Sequence, residues 1–244
     1  MAKIIINNLS VSFPIYSWHG RSIKHELVSY AIGGIIGAHI NKKNYVDALS
    51  NINLKIESGD RMAIIGNNGS GKTTLLRTIS KIYFPTSGDI TVHGTLHSLI
   101  DIMLGVDFES TGRENIYRRG LFMGLSKKQI RTYEDEIISF SELEKFIDLP
   151  IRMFSSGMAM RLAFSIATIV ESDILIMDEW LSVGDVEFRL KAQAKLKEVI
   201  SRTKILVIAT HDTSLVNQVC NRQLHLEHGQ LIADERLFGT FNAQ

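Results

Sequence analysis

Apolar positions along the chain change period several times, and each change marks an element. Alternation at Leu49, Ile52, Leu54 and Ile56 predicts a half-exposed strand. The apolar run Met62-Ala63-Ile64-Ile65 predicts a buried one from Arg61 to Ile65. Apolar positions at Leu75, Leu76 and Ile79 then give one face of a helix that begins near Lys72. A turn at 84–88, carrying Pro85 and Gly88, leads to short strands near 89–93 and 96–100. From about Arg113 to Phe146 the spacing is helical, with Ile130, Ile137, Ile138, Leu143 and Phe146 on the apolar side. A helix after Gly157, a strand at 174–177, a helix from about Val186, a strand at 205–209 and a closing pair of strands near 224–232 complete the pattern. Strands alternating with helices predict an α/β frame with a mainly parallel sheet, and the long helical stretch predicts a second lobe in the same chain.

Composition removes several alternatives. At 244 residues and 45% apolar the chain can bury a large core or two smaller ones, and nothing in it suggests disorder. Lys and Arg total 27 against 26 Asp and Glu, so the net field gives no reason to expect nucleic acid as a partner. A single cysteine, Cys220, excludes an intrachain disulfide and fits a reducing compartment. The N-terminal apolar stretch is too short for a secretion signal, and no run approaches a transmembrane helix. Any role at a membrane is therefore expected to pass through a partner.

The chemistry begins at Gly66-Asn67-Asn68-Gly69-Ser70-Gly71-Lys72-Thr73, which fits the phosphate-loop pattern G-x-x-x-x-G-K-[ST] at every fixed position. Glycines let the backbone curl so that its N–H groups converge on phosphate, Lys72 neutralises the β and γ oxygens, and the Thr73 hydroxyl can ligate Mg²⁺. The following helix adds the positive end of its dipole. A second motif, Ile174-Leu175-Ile176-Met177-Asp178-Glu179, is an apolar strand ending in two acids. That places both at the carboxyl edge of the sheet, where open α/β folds bind ligands. Asp178 is expected to hold Mg²⁺ and Glu179 to act as general base toward water.

With these motifs the sequence resembles the ATP-binding-cassette (ABC) ATPases over nearly its whole length. Phe154-Ser155-Ser156-Gly157-Met158 stands where that family carries its Leu-Ser-Gly-Gly-Gln signature, although only Ser155 and Gly157 match the general pattern. Ser182-Val183-Gly184-Asp185 resembles the loop that crosses the family's dimer interface. His211, ending the apolar strand before Asp212, looks like its switch histidine. The resemblance implies a P-loop ATPase fold of ABC type: a mainly parallel core sheet, an antiparallel β subdomain and an inserted α-helical lobe. It implies one domain over residues 1–244, with core at about 1–104 and 172–244, helical lobe at about 105–171 and an N-terminal insertion at about 14–46. By the same resemblance Thr74, Ser155, Ser156, Gly157 and Asp185 join the phosphate loop and Asp178 as nucleotide-binding residues, with Glu179 and His211 catalytic. Phe13 is expected to stack on adenine, with Tyr16 as its competitor.

Departures narrow the subfamily. No glutamine occurs between Thr74 and Gln129, so the family's usual Mg²⁺-ligating glutamine is missing, and Asp107 or Glu109 is expected to do part of its work. The string Thr111-Gly112-Arg113-Glu114-Asn115, with Ser-Ser-Gly-Met in the signature, is similar to the nucleotide-binding subunits of polysaccharide exporters for O-antigen, capsule and teichoic acid. The insertion carries Ile23, Leu27, Tyr30, Ile32, Ile35, Ile36 and Ile40 at roughly helical spacing, but Gly33, Gly34 and Gly37 stand against a helix. It reads either as a loop packed on its own domain or as an element that resembles the interfacial helix at the membrane entrance of O-antigen exporters. Arg118-Arg119 and Lys127-Lys128 read as solvated helix faces. The resemblance thus implies an ATP- and Mg²⁺-dependent subunit that dimerises and works with two copies of a polytopic permease. It would sit peripherally on the cytoplasmic face of the bacterial inner membrane and drive export of a lipid-linked polysaccharide, most simply O-antigen, without nucleic acid. The competing expectation is an ABC ATPase serving another transporter, of lipid, drug or other solute.

Overall fold

The structure is a computed structural model and describes residues 1–15, 40–41, 45–179 and 186–237. Its contacts divide the chain into two units, Met1–Ile100 with Asp173–Trp180 and Lys204–Gln244, and Asp101–Ser172 with Leu181–Thr203.

The first unit holds two sheets. Strands β1 (Lys3–Pro14), β2 (Ile40–Asn41), β3 (Tyr45–Glu57) and β5 (Ser87–His93) make an antiparallel sheet in the order β2-β3-β1-β5. Strands β4 (Arg61–Ile65), β6 (Leu96–Ser98), β7 (Ile174–Asp178), β8 (Ile205–Ala209), β9 (Arg222–Glu227) and β10 (Gln230–Arg236) make the other, in the order β10-β9-β4-β8-β7-β6. All its pairings are parallel except the β9–β10 hairpin. Parallel strands covered on both faces should read as continuous apolar runs. β8, Ile205 to Ala209, is buried at all five positions. The inner faces of both sheets and helix α1 (Lys72–Ile79) share one core, with Ile4, Ile6, Leu49, Ile56, Ile64, Leu76, Ile176 and Val207 fully or almost fully buried.

β1 has no counterpart in the sequence reading, for a physical reason. Its buried positions Ile4, Ile6, Leu9 and Val11 alternate only until Asn7 and Asn8, where the register with β3 shifts and Asn8 takes φ 46°. The bulge breaks the two-residue period that identifies a strand. The short helix α6 (Thr213–Val219) is likewise absent from the periodic pattern, being seven residues started by an Asp212 cap.

In the second unit the single helical stretch expected from Arg113 to Phe146 is two helices, α2 (Gly112–Phe122) and α3 (Lys127–Ser141). The break lies at Gly124, with φ 83°, and at Ser126, whose hydroxyl and Gln129 form a capping box that starts α3. Phe146 lies beyond α3 and is 43% exposed, unlike the buried Ile130, Ile137 and Leu143. Helix α4 (Ser156–Ala167) packs on α3, and helix α5 (Val186–Arg202) is grouped with this unit. The sequence boundary placed residues 172–244 in the core, but the α5 side chains lead elsewhere. Phe188 lies edge-on to Phe140 and Phe164, at 5.6 and 6.2 Å between centroids, and the Lys191 Nζ donates to the Phe140 carbonyl at 2.9 Å. One of the arginines read as solvated, Arg119, is only 4% exposed, and burial lowers its pKa to about 10.

Candidate functional site

Three neighbouring parallel strands of the first unit end at one edge. Ile64 of β4 is paired with Ala209 of β8, and Ala209 in turn with Asp178 of β7. The segments that leave these strands therefore emerge side by side: Gly66 to Thr73 after β4, Thr210 and His211 after β8, and Glu179 after β7. Two motifs far apart in sequence meet directly here, the Thr73 Oγ1 donating to Asp178 Oδ2 at 2.8 Å.

The loop after β4 can be built only with glycine at its hinge. Gly66 has φ 148°, and a Cβ there would stand 2.1 Å from the Leu226 carbonyl oxygen. Gly71 is left-handed at φ 105° and starts α1 without any side-chain cap, so the first-turn N–H groups remain available to an anion. The Ser70 hydroxyl is buried with no hydrogen-bond partner among the described residues, while Asn67, Asn68 and Gly69 are exposed. Inside the loop the Lys72 Nζ donates to the carbonyls of Gly66 and Asn67 at 2.7 and 3.0 Å. Burial pulls the Lys72 pKa below the usual lysine value, against the opposing charges of Asp178 and Glu179. Thr74 follows with its carbonyl accepting from the Thr78 hydroxyl at 2.8 Å. Among the described residues, a cationic amine held only by carbonyl oxygens, an orphaned buried hydroxyl and uncapped helix N–H groups fit a phosphate chain. The adjoining hydroxyl and carboxylate of Thr73 and Asp178 are hard oxygen donors suited to Mg²⁺, which binds few protein ligands and keeps several waters.

Glu179 is exposed and left-handed at φ 65°, its N–H donating to the Ala209 carbonyl at 2.7 Å. For a residue with a Cβ this conformation is unfavourable, and it recurs where function fixes the backbone. His211 is exposed between the end of β8 and Asp212, whose carboxylate accepts from Leu215 N–H and Ser214 N–H and is held below the usual carboxylate range by them. Phe13, 37% exposed, ends β1 and is paired with Val46, two residues from Ala48, whose carbonyl abuts Gly71. Its ring neighbour Tyr83, and the Arg77 that holds Tyr83, were passed over in the sequence. No periodicity marks them, and only the nearby turn at 84–88 places an aromatic there. Tyr16, Asp185 and the loop 182–185, together with nearly all of the insertion, lie outside the described residues.

In the second unit, Ser155 is the N-cap of α4 and its hydroxyl accepts from Met158 N–H at 3.1 Å. Ser156 is exposed, and a Cβ on Gly157 would meet only the Ser155 Oγ, at 3.9 Å, so this helix start is open. The acids suggested for the missing glutamine are engaged locally. Asp107 accepts from Ser110 Oγ at 2.6 Å and pairs with Arg118, and these hold its carboxyl below the usual range, Ser110 first. Glu109 pairs with Arg152. The string 111–115 also has a structural reading: Thr111 and Glu114 form a capping box, a Cβ on Gly112 would meet the Ile147 carbonyl at 2.8 Å, and Arg113 bonds Asp148 at 2.7 Å. The buried Asn115 donates to the carbonyls of Asp107 and Thr111, both at 2.9 Å.

Comparison with known proteins bears on both units. Residues 49–182 match the family described as ABC transporter. The chain is 41% identical to the O-antigen export system ATP-binding protein RfbE of Yersinia enterocolitica over 97% of its own length and 99% of the relative's. It is 36% identical to the O-antigen export system ATP-binding protein RfbB of Klebsiella pneumoniae, over 93% and 91%. With the teichoic acids export ATP-binding protein TagH of Staphylococcus epidermidis it shares 38% identity, over 94% and 83%. A dimeric bacterial ABC transporter cassette superposes with a TM-score of 0.69 over 97% of this chain and 100% of that one, at 21% identity. Among the described residues no helix is long and apolar enough to cross a membrane.

Proposed function

The chain belongs to the ABC transporter family, and from that membership we propose that it is the ATP-hydrolysing subunit of an exporter of lipid-linked polysaccharide, O-antigen being the substrate named for its relatives RfbE and RfbB. The observation that carries the ATP-hydrolysing part of the reading is the shared strand edge, where the β4 loop, Asp178, Glu179 and His211 emerge from adjacent strands, and the export part rests on the relatives.

Each residue has a task that follows from its setting. The uncapped N–H groups of α1, the loop N–H groups of residues 66–71 and the Ser70 hydroxyl receive phosphate oxygens, and Lys72 exchanges its carbonyl partners for the β and γ oxygens. Thr73 and Asp178 would hold Mg²⁺, which when bound neutralises phosphate charge. Glu179, fixed by its backbone and exposed, takes the proton from attacking water, and His211 contacts the γ-phosphate side. Phe13 stacks on adenine.

One chain carries one phosphate loop and one open Ser155-Ser156-Gly157 helix start, so two copies arranged head to tail give two complete sites. Asp185 is assigned to the loop crossing that interface on the family resemblance of 182–185 alone. ATP favours the closed pair because its γ-phosphate reaches the partner copy's serines, a contact ADP lacks. The opening and closing moves two copies of a membrane permease, against which this subunit sits on the cytoplasmic face of the inner membrane.

Glu179→Gln tests the reading. Purified with its permease, the variant should bind ATP normally and turn it over about 10²-fold more slowly or worse, since the base is lost while the charge clamp survives. In cells it should leave lipid-linked polymer inside and none at the surface. Near-normal turnover would remove Glu179 as the base, and normal surface polymer would remove export as the function.

A further inference from the structure

We propose that Tyr83, held by Arg77, is a positioning residue that fixes the Phe13 ring as the platform for the adenine base; the proposal rests on the reading of Phe13 as that platform. Phe13 is the penultimate residue of β1, past the buried positions Ile4, Ile6, Leu9 and Val11, and its side chain is partly exposed. It is 37% exposed, and among the described residues its ring meets Tyr83, whose ring stands edge-on at 5.2 Å between centroids and 73° between planes. Such a T-shaped pair is a preferred aromatic geometry, and it engages one side of Phe13 while the rest of the ring stays open to a ligand.

Tyr83 is itself tied down twice by one residue. The Arg77 Nη1 donates to the Tyr83 hydroxyl at 2.9 Å, with its guanidinium carbon 5.6 Å from the ring centroid. The Arg77 carbonyl accepts from the N–H groups of Ile82 and Tyr83, at 2.9 and 3.2 Å. Arg77 belongs to α1, which begins at Lys72. A continuous series of contacts therefore runs from the phosphate-binding helix through Arg77 and Tyr83 to Phe13. The backbone beside Phe13 is pinned as well, since the Ser12 N–H donates to Thr86 Oγ1 at 2.9 Å, while the Ser12 hydroxyl donates to Asp47 Oδ1 at 2.6 Å. The result is a platform whose orientation is referenced to the helix that holds the phosphates, so base and phosphate subsites are set at a fixed separation.

The test measures equilibrium binding of ATP and of inorganic tripolyphosphate to the full chain carrying Tyr83→Ala, Tyr83→Phe, Phe13→Ala or the Phe13→Ala/Tyr83→Ala pair. Tyr83→Ala should weaken ATP about fivefold and leave tripolyphosphate unchanged, because only the base uses the ring. Tyr83→Phe should lose less, retaining the ring contact without the Arg77 bond. The double variant should bind ATP no more weakly than Phe13→Ala alone, the non-additivity expected when one residue acts through the other. Unchanged ATP affinity in Tyr83→Ala beside a loss in Phe13→Ala would overturn the proposal and leave the platform standing. Equal losses for ATP and tripolyphosphate would also overturn it, by showing general damage. Unchanged ATP affinity in Phe13→Ala would overturn the platform itself.

Discussion

The phosphate edge of the first unit and the serine start of α4 in the second both present helix N-termini that we assign to phosphate, yet they are built in opposite ways. At the edge, Gly66 is wedged against the Leu226 carbonyl, Glu179 is left-handed, the Ser70 hydroxyl is orphaned and Lys72 is turned inward onto carbonyls. At α4, Ser155 satisfies Met158 N–H within its own helix, Gly157 has open space around it and no strained residue is present among 154–158. The first arrangement stores unfavourable conformations and unpaired groups that a triphosphate can relieve. The second stands complete as an ordinary capped helix. Nucleotide affinity should therefore reside in the first unit, and the second should contribute only when another surface brings a γ-phosphate to it.

The largest effects should separate the two regions by binding. Lys72→Ala should abolish ATP binding, since the lysine meets ground-state charge, whereas Ser155→Ala should leave the affinity of a single subunit unchanged. His211→Ala should bind ATP and fail to turn it over, because it acts around the γ-phosphate. Calorimetry with ATP and assays of phosphate release check all three, and equal affinity in wild type and Lys72→Ala would remove the contrast.

A smaller effect tests strain alone. Gly66→Ala should lower folding stability by about 2–4 kcal/mol, from the positive φ and the close carbonyl. Gly157→Ala, with nothing to strike, should stay within about 1 kcal/mol of wild type. Urea denaturation of the two variants gives the comparison directly. Similar values would show that the two helix starts are equally relaxed.

These contrasts also show what the sequence made legible. The phosphate loop could be read because its glycines, Lys72 and Thr73 are consecutive and each is required by one backbone geometry. The contact of Thr73 with Asp178 could be anticipated because two apolar runs end in polar residues, and parallel strands bring such ends together. Glu179's left-handed backbone could not, since nothing in its neighbours' residue types demands it. β1 was hidden by the bulge at Asn8, which removes the period on which strand reading depends. The string 111–115 was read only as a family resemblance. Its atoms show a capping box and a buried asparagine closing the 107–111 turn, a local structural need that a spacing pattern does not express. Arg118-Arg119 was read as one solvated helix face, but adjacent helix positions point in different directions, and of the two only Arg118 is exposed.

The smallest effect concerns the cap itself. Ser155→Ala should cost about 1 kcal/mol of stability, the usual worth of an N-cap, with melting followed by circular dichroism. A loss of several kcal/mol would mean that the α4 start is integral to the second unit's core and not merely its open end.

The central claim, that the two regions complete one another only between two copies of the chain, is tested most directly by mixing inactive variants. Lys72→Ala lacks a working phosphate loop but keeps its α4 start, and Ser155→Arg blocks that start but keeps its loop. Each alone should be inactive with the permease. Reconstituted together at equal amounts, half of randomly assembled pairs contain one intact site, so phosphate release should return to about a quarter of the wild-type rate. Release no greater than the sum of the two separate preparations would contradict the account, because a site completed within one chain cannot be rescued by its partner.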